Sequence, residues 1–200
     1  MKKRRSAVTL KDIAAKTGYS VNTVSRALRD KDDIAAPTRE MIQKTAQEMG
    51  HVSNTLAASL RLGYTNTIAV ILGDISNPHF SIMMKEIEGH AWKAGYTSIL
   101  FNTNENEELE LAAIQSALNK NVDGIIICPA QKTPDNLTYL KESGVPFVLI
   151  GRRDEAYSYV VCNDELGGYQ ATKELLSAGH RDILLLHGAT YISSARERLE

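Results

Sequence analysis

The stretch YSVNTVSRALRD, Tyr19–Asp30, places Val21, Asn22 and Arg26 at spacings that share one side of a short helix. A small apolar group, an amide and a guanidinium presented together can meet a thymine methyl, an adenine edge and a guanine edge in the major groove of DNA. Around them, Ser20, Thr23 and Ser25 carry short hydroxyls, and Thr9 and Arg29 extend the polar set. Groups of this kind suit phosphates, which position a protein without reading sequence. Lys2, Lys3, Arg4 and Arg5 would add attraction that ignores sequence. The alternative is a packing element whose polar side is merely solvated.

Such a face needs a support. Thr9 with Asp12 forms a loose capping box, and Leu10, Ile13 and Ala14 give a stripe that Gly18 ends. Ser20 is the expected N-cap of a second helix over residues 20–29, with Val24, Ala27 and Leu28 inward and Asn22, Arg26 and Arg29 outward. A third helix follows Pro37 and Thr38, with Met41, Ile42, Thr45, Ala46 and Met49 at helical spacing and Gly50 after it. Three helices of this length can bury one small core, and a Gly-containing turn between the first two fits helix-turn-helix geometry.

Residues 51–64, HVSNTLAASLRLGY, read as a connector with a short helix that Asn54 could cap. That helix is too short to stand alone. From Thr67 the pattern changes. TIAVILGD, TSILFN, GIIICPA, PFVLIG, YVVCND and DILLLHG read as strands. They alternate with helices expected over 81–94, 109–119, 136–142 and 169–178. This alternation indicates a parallel sheet covered on both faces. The expected domains are a helical head over 1–50, a hinge over 51–64, and an α/β body over 65–200.

Charge follows the same division. Residues 1–64 carry 12 Lys and Arg against 6 Asp and Glu, and residues 65–200 carry 11 against 18. A basic head on an acidic body fits a polyanion-binding module joined to a domain that does not bind polyanions. The composition, 43% hydrophobic and 24% charged, suits a soluble chain able to bury a core. No apolar run follows the basic N-terminus, so a signal peptide and a membrane span are not expected. Cys128 and Cys162 lie in apolar runs and are expected to be buried thiols in a reducing cytoplasm.

Catalysis finds little support. The histidines (His51, His79, His90, His180, His187) have no metal-ligand spacing, so no metal and no cofactor is expected. Neither a P-loop nor a dinucleotide-binding glycine motif occurs, and Ser193 and Ser194 lack a paired base.

The run from VTLKDIAAKTGYSVNTVSRAL through TRE to the connector's NTLAASL resembles the lactose-repressor (LacI/GalR) family of bacterial transcription regulators. The resemblance continues through ISNPHF, VDGIIICP, GVPFVLI and GGYQATKELLSAGHRDI, and so covers essentially the whole chain. It implies a helix-turn-helix head, a hinge helix and a body of periplasmic-binding-protein type. It also implies a homodimer on double-stranded operator DNA and a small-molecule effector, a sugar or related metabolite, with no membrane partner. Val21, Asn22 and Arg26 match the family's base-contacting positions. Asn54, Ala57 and Leu60 match its minor-groove hinge, Leu60 being the wedge between base steps. His51-Val52-Ser53-Asn54 departs from the family's usual Tyr-x-Pro-Asn at the start of that hinge.

In open α/β sheets ligands bind beyond the carboxyl ends of the strands. There the loop after the first strand offers Asp74, Asn77 and Phe80, a polar set beside an aromatic face that suits a sugar or a planar ring. A helix-opening turn with Phe80 in the core is the other reading. The resemblance adds Arg152, where relatives often contact ligand, and Arg198, which matches an effector-holding arginine. It also adds Asn163, preceded here by Cys162 where many relatives carry aspartate. Relatives continue through further βα units, so the resemblance implies a second subdomain that is incomplete at Glu200. A sugar-binding transport protein shares the body fold and is the alternative of a different class. An enzyme on the same sheet is the third.

Overall fold

A computed structural model of the chain describes residues 8–51 and 63–200. Contacts divide the chain into two units, Met1–Ala58 and Ser59–Glu200. In the first, helix α1 (Leu10–Thr17) opens on the expected box: Thr9 accepts from the Asp12 N–H, and the Asp12 carboxylate accepts the Thr9 N–H at 2.8 Å. Gly18 closes it at φ 75°, a backbone conformation that disfavours other residues. Helix α2 (Val21–Ala27) is capped by Ser20, whose side chain accepts from the Thr23 N–H. Helix α3 (Ala36–Glu48) carries Pro37 in its first turn, where a missing N–H is harmless. Ile13, Val24, Ala27, Ile42 and Ala46 form the shared core, each helix supplying part of it. Ile13, Val24 and Ile42 are fully buried, and each such side chain contributes about 1.5–3 kcal/mol.

Helix α2 is shorter than the sequence implies. It ends at Ala27, and Asp30 turns the chain at φ 56°, so Arg29 lies beyond the helix. The Lys31 N–H then donates to the Arg26 carbonyl, folding the following loop back over the helix's last turn.

In the second unit five strands pair in parallel in the order β2-β1-β3-β4-β5. They are β1 (Thr67–Leu72), β2 (Thr97–Asn102), β3 (Gly124–Ile127), β4 (Phe147–Ile150) and β5 (Tyr159–Val160). Residues of β1 alternate between two cores, as a period of two requires. Ala69 and Ile71 join Ile114, Ile125, Ile127, Leu140 and Leu149 on one face. Val70 and Leu72 join Phe80 and Cys128 on the other. The first face is covered from helices α5 (Glu107–Asn119) and α6 (Asp135–Glu142), the second from α4 (Pro78–Lys93). Helices α7 (Asp164–Ser177) and α8 (Ser193–Glu197) follow β5.

Three expectations are corrected here. DILLLHG, residues 182–188, is not a strand: Leu184 and Leu186 are 85% and 86% exposed. A strand needs a neighbour for its N–H and C=O groups, and no described segment pairs with this one. Helix α7 begins at Asp164 rather than 169, because the Asn163 side chain caps it by accepting from the Leu166 N–H at 2.9 Å. Cys162 is exposed rather than buried, since β5 is only two residues long and the chain has left the sheet before reaching it. Cys128, at the end of β3, is buried as expected.

Candidate functional site

In the helical unit the capping pattern fixes which side chains face outward. Val24 and Ala27 are fully buried, which turns Val21, Asn22 and Arg26 to solvent. Val21 is 41% exposed, leaving its apolar side chain open to contact. Asn22 has no side-chain hydrogen bond among the described residues, so its amide is available. Arg26 forms an ion pair with Asp33 from the folded-back loop, both side chains being about half exposed.

The hydroxyl residues are already at work. Thr9 and Ser20 cap helices, and the Thr23 hydroxyl lies 2.9 Å from that of Ser20. Ser25 is half-buried and Arg29 exposed. Thr9, Ser20 and Thr23 lie at the N-termini of α1 and α2, where free backbone N–H groups and the helix dipole favour phosphate, whereas Ser25 sits further along α2 and Arg29 lies beyond its end. The first turn of α2 therefore brings Val21 and Asn22 beside Ser20 and Thr23, and Arg26 follows in its last turn. Asn54, Ala57 and Leu60 lie outside the described residues.

His51 makes a contact the sequence did not signal. Its ring Nδ1 donates to the Val8 carbonyl at 2.8 Å, tying the end of α3's exit to the residue before α1.

In the α/β unit a cavity of about 650 Å³ opens at the carboxyl ends of the strands. The strand order reverses between β1 and β3, the place where such sheets open a crevice. Each strand end reaches it: Asn77 and Phe80 after β1, Glu105 after β2, Cys128 after β3, Arg152 after β4 and Cys162 after β5. The last helix adds Ser194 and Arg198. Asn77 is at once the N-cap of α4, accepting from the His79 N–H, and part of the lining. Phe80 is 8% exposed and belongs both to the core and to the cavity wall.

Two ion pairs set the cavity's electrostatics. Arg152, 6% exposed, meets both oxygens of the Glu105 carboxylate at 2.8 Å and donates to the Pro129 carbonyl. Burial works against its charge, but the Glu105 hydrogen bond and the surrounding negative charge, Glu110 included, together hold the guanidinium above its ordinary pKa. Gly73 makes that pairing possible, because a Cβ there would fall inside the Glu105 carboxylate. Arg198 pairs with Asp164, and Gly168 lets the two helices approach, since a Cβ there would meet the Arg198 carbonyl at 2.5 Å. Burial pushes the Cys128 thiol up to about 12, which leaves it protonated and unreactive.

Of the residues predicted for this site, Asn77, Phe80, Arg152 and Arg198 line the cavity, whereas Asp74 and Asn163 do not. The Asp74 carboxylate accepts from the backbone and hydroxyl of Ser76 at 2.9 and 2.8 Å, which holds it below the usual carboxylate range. Asn163 is used as a cap. Glu105, Cys128 and Asp164 were missed. Nothing in NTNEN signals that its glutamate reaches an arginine 47 residues away.

Among the described residues no group of His, Cys, Asp and Glu could hold a metal ion, and no helix is long and apolar enough to cross a membrane. Residues 9–54 match the family described as bacterial regulatory proteins, lacI family. Residues 65–200 match periplasmic binding proteins and sugar binding domain of LacI family. The HTH-type transcriptional repressor PurR of Pasteurella multocida is 30% identical over 195 residues, covering 96% of this chain and 58% of that protein. The HTH-type transcriptional regulator DegA of Bacillus subtilis is 31% identical over 197 residues, with the same coverages. In structure, the Lac repressor dimer bound to operator and the anti-inducer ONPF superposes with a TM-score of 0.85. It is 24% identical, over 97% of this chain and 60% of that one, a likeness of fold. The chain thus spans 58% of the length of these curated relatives.

Proposed function

The chain belongs to the LacI family of bacterial regulatory proteins, and on that premise we propose that it is a sequence-specific DNA-binding transcriptional regulator, a repressor whose operator binding responds to a small-molecule effector. The observation that carries this reading is the outward face of α2. Val21, Asn22 and Arg26 are exposed together on a helix whose opposite side is fully buried. A rigid helix presenting these groups can lie in a major groove, with Val21 on a thymine methyl, Asn22 on adenine and Arg26 on guanine. Thr9, Ser20, Thr23, Ser25 and Arg29 would hold the flanking phosphates.

The protein would act in the cytoplasm as a homodimer, its two-fold symmetry matching a near-palindromic operator. Asn54, Ala57 and Leu60 would form the paired hinge in the central minor groove, with Leu60 as a wedge that bends the duplex. The effector, a sugar or related metabolite, would occupy the cleft lined by Asn77, Phe80, Arg152 and Arg198. Asp74 and Asn163 would act one step back, shaping the loop and the helix cap beside it. Effector binding would shift the population of DNA-competent dimers by its difference in affinity for the two states. No catalytic step is assigned.

Operators selected from random DNA, followed by gel shifts, test the reading. The selected DNA should bind the chain tightly, and Asn22→Ala and Arg26→Ala should each weaken that binding. A chain that enriches no sequence, or variants that bind as the unaltered chain does, would overturn it.

A further inference from the structure

The loop after α2 carries three carboxylates, Asp30, Asp32 and Asp33. They are not equivalent. Asp30 is fixed to α3, with Arg39 Nε at 3.0 Å, while Gln43 Nε2 donates to the Ala27 carbonyl at 3.1 Å. Asp32 makes no ion pair among the described residues. Asp33 alone meets Arg26. Its position follows from the backbone: the Lys31 N–H donates to the Arg26 carbonyl, the Ile34 N–H to the Lys31 carbonyl, and Ile34 packs against the head core. The carboxylate is therefore held over the last turn of α2 from both sides.

Resting on the DNA-binding reading above, we propose that Asp33 is an intramolecular competitor for Arg26, an acidic latch that DNA must displace before the guanidinium can reach a base. The guanidinium is 47% exposed and the carboxylate 48%, so the pair is accessible and can open without unfolding anything. An arginine bound to a carboxylate presents its donors to the wrong partner. Guanine O6 and N7 accept from the same fork of N–H groups that Asp33 engages. Displacement also leaves the freed carboxylate near the DNA, where it opposes the phosphates. Asp33 thus weakens every DNA complex in which Arg26 takes part.

The test is a set of operator affinities on the full chain, using DNA selected with that chain. Asp33→Asn should tighten operator binding about fivefold, the scale of one exposed ion pair. It should also steepen the salt dependence of binding to unrelated DNA by about one further counterion, as the released Arg26 finds a phosphate. Asp32→Asn removes the same charge from the same loop without releasing Arg26, and should change affinity less. In an Arg26→Ala background the extra gain from Asp33→Asn over Asp32→Asn should vanish. Equal effects of the two asparagine variants, an undiminished gain in the Arg26→Ala background, or weaker binding by Asp33→Asn would each overturn the latch. If Arg26→Ala alone binds operator as the unaltered chain does, it is the base-reading assignment that fails, and the latch with it.

Discussion

In the head, Arg26 meets Asp33 from the loop that follows its own helix, with both side chains about half exposed. In the body, Arg152 meets Glu105 from another strand end, 47 residues away, with its guanidinium side chain 7% exposed. Both are arginine–carboxylate pairs at a candidate binding surface, yet their physical roles differ. An exposed pair is worth about 0–1 kcal/mol, so a ligand can open it. A buried pair is costly to break, because the partner left behind has lost its water. The head keeps Arg26 on a surface contact that can be exchanged. The body builds its cation into the wall of the cleft, where the Glu105 carboxylate and the Pro129 carbonyl hold it in place.

The largest expected effect breaks the body's side of this contrast. Glu105→Ala leaves the Arg152 guanidinium buried without its carboxylate and should cost about 2–3 kcal/mol, below the full buried-pair figure because Glu105 is partly exposed. Hydrogen exchange of β3 and β4 amides should report that loss while α2 amides stay unchanged. Gly73→Ala, which crowds the same carboxylate, should fall in the same direction. Next come Asn22→Ala and Arg26→Ala. Each should weaken operator binding by about 1–3 kcal/mol while thermal unfolding of the head barely moves.

A third test uses Glu110, 2% exposed, whose carboxylate accepts from the Ala130 N–H at 2.7 Å and from the Asn136 amide at 2.9 Å. Burial raises its pKa above 4.5 despite those donors. The folded state then holds the proton where the unfolded chain has released it. This group's contribution is therefore present below that ordinary value and is lost as pH rises through the raised one. Glu110→Gln should remove a slope of at most about 1.4 kcal/mol per pH unit from urea unfolding of the body. The smallest effect is Thr9→Ala. It removes the α1 capping box and should cost the head about 1 kcal/mol in thermal unfolding, with no change in body exchange.

The two units also differ in how much of them the sequence displayed. In the head the outward positions of α2 follow from local rules. Thr9 and Ser20 announce the helix starts, and Val24 and Ala27 define the buried side, so Asn22 and Arg26 are outward by periodicity. What periodicity did not show was the early stop at Ala27 and the returning loop, because the φ of 56° at Asp30 carries no apolar signature. In the body the strands and their parallel pairing were readable from apolar runs. The cleft chemistry was not, since the Glu105–Arg152 pair joins loops that only the strand order brings together. The run DILLLHG looked like a strand because it is a short continuous apolar run between polar flanks. Pairing, which propensity does not supply, decided otherwise.

The central claim is that the outward face of α2 reads bases. It is tested most directly by repeating the selection from random DNA with Asn22→Ala in place of the unaltered chain. Preference should relax at one base position in each half-site while the remaining positions keep their selectivity. An enriched sequence identical to that of the unaltered chain, or a uniform loss of affinity without loss of preference, would contradict it.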